Sequence, residues 1–147
     1  MLDIRNKFKR QIEILGLCLK KEYKGLRPSD FAAIFNVEEL TIKRDLADLR
    51  TFGIEIHSLR SKGIILDSKP GAEKLRELIK QYSALNTTAA YVEKSTALLV
   101  SRHKEEALAN MVVLQMCIDS SSMAVIDYEK DADVFERGQE IEPLLIF

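Results

Sequence analysis

Apolar residues recur at spacings of three and four through Phe8, Ile12, Leu15 and Leu19, which predicts a helix from about Asp3, as its N-cap, to about Lys21. "YKG" breaks that pattern. "RPSDFAAIF" then opens a helix of about two turns at Pro28 or Ser29, with Phe31, Ile34 and Phe35 on its apolar face and an end near Asn36. After a tight turn, "EELTIKRDLADLRTF" carries a third helix over about 38–52, and Gly53 is its C-terminal cap candidate.

On a helical wheel at about 100° per residue, Ile42, Leu46 and Leu49 of this third helix share one stripe and Asp45 lies at its edge. Leu40, Arg44, Ala47 and Thr51 fall on the opposite side, flanked by Thr41 and Lys43. The stripe belongs to a core. The other face offers a guanidinium, an ammonium and a hydroxyl, and it leaves Leu40 to be covered by a thymine methyl or by a partner surface. Asp45 is expected to pair within the protein.

Next, "IEIHSLRSKGIILD" places two β-branched runs, 54–56 and 64–66, on either side of a polar centre holding Arg60, Lys62 and Gly63, the pattern of a β-hairpin. "DSKPGAEK" reads as a linker, and a helix with Leu75, Leu78, Ile79 and Tyr82 follows to about Ser83. From about Ala89 to Ile118 a long helical pattern resumes, in one piece or two, with Leu98, Leu99, Leu108, Met111, Val112, Leu114 and Met116 among its core candidates. "DSSS" ends it. "MAVIDYEK" and "QEIEPLLIF" read as strands joined by the polar connection "DADVFERG". With no further strand to close on, such a hairpin is expected to pack on the long helix near residues 100–118 or to pair with a second copy.

Composition adds bounds. With 46% hydrophobic and 31% charged residues in 147, the chain is folded and water-compatible. No apolar run is long enough to span a bilayer and the first residues lack a signal-peptide core, so a cytoplasmic location without membrane contact is expected. The net charge of -1 hides an asymmetry: residues 1–67 hold 13 basic and 10 acidic side chains, and residues 68–147 hold 9 and 13. A basic first part suits a nucleic-acid partner. Cys18 and Cys117 sit in apolar helical patterns as free thiols, and His57 and His103 lack metal-ligand spacing, so neither metal nor cofactor is expected. No nucleophile with a neighbouring histidine, carboxylate pair or phosphate-cradling glycine loop stands out, which argues against an enzyme.

"FAAIFNVEELTIKRDLADLRTFGIEI" followed by "SKGIIL" resembles the winged helix-turn-helix of DeoR-type regulators, with Thr41, Ile42, Lys43, Arg44, Asp45 and Leu46 on the family's T-I-x-R-D-L core. Glu38, Glu39 and Leu40 depart from the small or basic residues common there. "AVIDYEKDADVFERGQEIEPLLIF" is similar to the beginning of a WYL domain, an Sm-like β-barrel, through Tyr128, Arg137, Ile141 and Pro143. The resemblance implies a mainly α chain with small β (α+β): a winged helix-turn-helix over 1–67, a helical linker over 68–118, and the first two barrel strands over 119–147, as if truncated within the WYL domain.

What it implies for function is a bacterial transcription regulator, a homodimer on double-stranded DNA. Leu40, Thr41, Lys43 and Arg44 would meet the major groove, and Arg60 and Lys62 would approach from the wing. A small-molecule or nucleic-acid effector would act through the rest of the WYL domain. The competing reading is a winged-helix module for protein-protein contact, with Leu40 and the acidic residues as its surface.

Overall fold

The computed structural model describes residues 2–86, 93–131 and 134–143, which form six helices and two antiparallel hairpins. Helix α1 (Leu2–Cys18) is the centre of the molecule: α3 (Glu39–Thr51) and α4 (Ala72–Asn86) pack on it, and so does α6 (Glu105–Ser120). Every residue from Gln11 to Leu17 is therefore buried, where the spacing predicts only a stripe. The helix already includes Asp3, expected as its cap, and a short 3-10 turn over Lys21–Tyr23 follows it. Phe8, expected in the core, is exposed.

The approach of α1 to α6 depends on a missing side chain. A methyl group at Gly16 would lie 2.5 Å from Val112 Cγ2, so glycine lets the two helices meet there. Polar groups inside this packing are satisfied. The Tyr82 hydroxyl of α4 donates to Glu13 Oε2 of α1 at 2.6 Å, and burial raises the Glu13 carboxyl above its ordinary pKa. Lys9 meets Asp119 of α6 at 2.6 Å. Among the described residues no buried side-chain nitrogen or oxygen lacks a partner.

Helix α2 (Pro28–Phe35) begins on a proline, whose missing N–H costs nothing at that place, and the Asp30 carboxylate accepts the Arg27 N–H at 2.8 Å. It stops at Asn36, which adopts the left-handed conformation (φ 53°) that asparagine tolerates better than most residues. Phe31 is buried, but Ile34, expected beside it, is exposed. The strands β1 (Ile56–Leu59) and β2 (Gly63–Leu66) pair with Ile56 opposite Leu66 and Leu59 opposite Gly63. Three residues make the turn, so the pairing takes in His57, Ser58 and Leu59 from the stretch expected to be its polar centre.

Helix α4 runs to Asn86, beyond the predicted end, and the expected "NTT" break and the start of the next helix lie largely outside the described residues. The long pattern is two helices, α5 (Glu93–His103) and α6, separated at Lys104 by a backbone φ of 53°. Leu108 and Val112 are core residues, whereas Leu98 and Leu99 face outward. Cys18 and Cys117 are free and half-buried, and burial pushes the Cys18 thiol up to about 12, the state of an unreactive structural thiol.

Strands β3 (Ala124–Asp131) and β4 (Val134–Ile141) form the last hairpin. "DADVFERG", expected as a connection, supplies most of β4, because the strands pair as far as Asp131 opposite Val134, with two register irregularities on the way. Ala124 at the start of β3 is buried, and the expected docking on α6 rests on side chains over 126–137 that lie outside the described residues. Residues 144–147, the end of the predicted strand, lie outside the described residues, and what is described of the expected two strands is a two-stranded antiparallel hairpin.

Candidate nucleic-acid interface

The α2–α3 unit is a tight helical hairpin. The Val37 N–H donates to Ala32 O at 3.0 Å, and the Thr41 and Ile42 N–H groups donate to Glu38 O at the start of α3. Ile42, Leu46 and Leu49 are all buried, which fixes the rotation of α3 about its axis. The opposite side is then solvent-facing: Leu40, Lys43, Arg44, Ala47 and Thr51 are exposed, and Thr41 is half-buried at the flank.

Asp45 explains how the next position can be a buried carboxylate. It is 1% exposed and takes two hydrogen bonds from Arg10 of α1, Nε at 2.6 Å and Nη2 at 3.0 Å, and a third from Gln11 Nε2 at 3.1 Å. Gln11 also donates to Asp48, which Lys7 meets at 2.9 Å. The Asp45 hydrogen bond holds the Arg10 guanidinium above its ordinary pKa, and Lys7 holds Asp48 below the ordinary carboxylate value. The expectation that Asp45 pairs inside the protein is met.

The wing is fastened at its base. The Ile64 N–H donates to Leu26 O at 2.8 Å, so the segment before α2 runs against β2. Gly63 permits this: it has φ +76°, and a Cβ there would fall 2.5 Å from both Gly25 O and Leu26 O. On the other side Arg50 of α3 donates through Nη1 to Ile56 O at 3.0 Å. Arg60 and Lys62 occupy the exposed turn that these anchors hold out.

Between α2, α3 and β1 lies a groove of about 810 Å³ lined by Arg27, Ser29, Lys43, Arg50, His57 and Arg60, among others. Of the six interface residues expected from sequence, Lys43 and Arg60 meet in this groove. Leu40, Thr41 and Arg44 lie along α3 outside its lining, and Lys62 sits at the wing turn. Lys43 is the member with an intrahelical ion pair, at 3.3 Å from Glu39. Arg27, Arg44, Arg60 and Lys62 have no ion pair among the described residues, and His57 is held 2.9 Å from Asp67.

Sequence reasoning passed over Arg27, Ser29, Arg50 and His57. Arg50 was accessible to it, standing seven residues after Lys43 and so on the same side of α3. Arg27 and His57 reach the groove only through the fold, by the pairing of the pre-α2 segment and of β1 with their neighbours.

No helix among the described residues is long and apolar enough to cross a membrane. No curated protein and no solved structure matches the chain significantly. Residues 10–65, a little over a third of the chain, match the family model of the HTH domain, and the two tightly joined helices and the fastened wing lie in that same span, so this part of the chain is a helix-turn-helix.

Proposed function

We propose that the chain is a transcription regulator without enzymatic activity that binds duplex DNA through α3 and the β1–β2 wing. The observation that carries the reading is the distribution of ion pairs: Lys7, Lys9 and Arg10 of α1 are paired with carboxylates, while Arg27 and Arg60 in the groove, Arg44 on the outer face of α3 and Lys62 at the wing turn are exposed without such partners among the described residues. Arg44 suits guanine O6 and N7 in the major groove, Thr41 and Lys43 suit phosphates beside it, and the wing cations suit the backbone or minor groove. A bacterial DeoR-type and WYL-type regulator is the finer form of this proposal, supported by the T-I-x-R-D-L core and the Tyr128-to-Pro143 stretch. In that form the protein acts in the cytoplasm as a homodimer, and an effector works through the rest of the WYL domain.

Selection of bound duplexes from a random pool, followed by titration at several salt concentrations, tests the reading. The expected result is a defined site and a steep fall of affinity with salt. Association with a protein partner, unaffected by salt and abolished by loss of Leu40, would replace it with the contact-module reading, which the 53% exposure of Leu40 favours.

A further inference from the structure

Leu40 differs in burial from the other leucines and the isoleucine of its helix. Ile42, Leu46 and Leu49 of the same helix are at most 2% exposed, while Leu40 is 53% exposed in the first turn. Its companions on that face are Lys43, Arg44 and Ala47, three, four and seven residues on. An isolated exposed leucine on a helix needs no explanation. One placed a single turn before the arginine best suited to read a base is a different matter.

We propose that Leu40 reads the methyl group of a thymine lying within about two base pairs of the guanine taken by Arg44. This rests on the DNA-binding reading above and extends it to the identity of a base. The first turn of a recognition helix is the part that reaches base edges. In the major groove thymine alone presents an apolar group, whereas the edges of the other bases are hydrogen-bonding groups that a leucine would desolvate without pairing. Four residues of helix rise about 6 Å, and stacked base pairs are about 3.4 Å apart, which sets the two-base-pair limit. The exposed Ala47 one turn beyond Arg44 has no bulk to hold the helix away from the groove floor.

The test starts from the duplex selected by the full chain and replaces each thymine in turn by uracil, which removes the methyl group and keeps every hydrogen bond. One thymine within two base pairs of an Arg44-dependent guanine should be sensitive, with affinity falling about fourfold, the worth of one buried carbon group. Leu40→Ala should lose affinity for the thymine duplex by a similar factor and no longer distinguish thymine from uracil there. Leu40→Met, which keeps an apolar reach, should still distinguish them. The inference is overturned if no thymine near that guanine is sensitive, or if Leu40→Ala retains the sensitivity. Failure to select or bind any duplex at low salt sinks the DNA reading as well, so the two failures are told apart.

Discussion

The two sides of α3 carry charge in opposite ways. Toward α1, Asp45 and Asp48 are engaged by Arg10, Gln11 and Lys7 within hydrogen-bonding distance, and Asp45 is buried. Toward the wing and away from the core, Arg44 and the wing cations Arg60 and Lys62 are exposed and have no ion pair among the described residues. A buried carboxylate must be paired to be tolerated, whereas an exposed guanidinium loses little by waiting for a partner. The paired side thus fixes where α3 sits, and the unpaired side is left for whatever binds.

If that division is right, the largest effect comes from the paired side and is on stability. Asp45→Ala leaves Arg10 half-buried without its carboxylate and should cost about 3 kcal/mol, read as a lowered midpoint in urea. Arg10→Ala together with Asp45→Ala should be less damaging than the sum of the two. Additive losses in that double-mutant cycle would show that the pair does not hold the helix.

The unpaired side predicts loss of binding with no loss of stability. Arg44→Ala should keep the urea midpoint and cost roughly 1–3 kcal/mol at the selected site, with relaxed preference at one base pair. A change in the midpoint comparable with that of Asp45→Ala would erase the distinction between the two sides. Lys62→Ala should do less: binding weakens alike on all sequences and the slope of log affinity against log salt falls by about one, as for the loss of one phosphate contact.

How much of this was legible in the sequence follows from which interactions are local. The stripe of Ile42, Leu46 and Leu49, the outward Leu40 and Arg44, and the inward Asp45 are consequences of helical period alone, and the structure places each of them accordingly. The burial of every residue from Gln11 to Leu17 was not legible, because it comes from α6, nearly a hundred residues later, closing over Gly16. The groove was half legible for the same reason. Lys43 and Arg50 are a two-turn repeat on one helix, but Arg27 arrives through the bond from Ile64 to Leu26 O. The last hairpin marks the opposite limit: alternation announced strands, yet Asp131 and Val134 to Glu136 of the expected connection paired too, since backbone hydrogen bonding accepts polar residues.

The smallest effect belongs to Asp48, on the paired side but at its solvent edge. Lys7, followed by Gln11, holds its carboxyl below the ordinary pKa. A carboxylate stabilised in this way contributes to folding while it is ionised in both states, that is, above the unfolded value of about 4. The contribution is lost as pH falls through the depressed folded value. Asp48→Asn should therefore flatten the acid side of the stability-pH curve, leaving stability near neutrality slightly lower, and should leave the salt slope of DNA binding unchanged. Solvent screening keeps the change small. If Asp48→Asn instead steepened the salt slope, the carboxylate would be opposing phosphate, and the outward face of α3 would extend around to the side that Arg10 and Lys7 otherwise close.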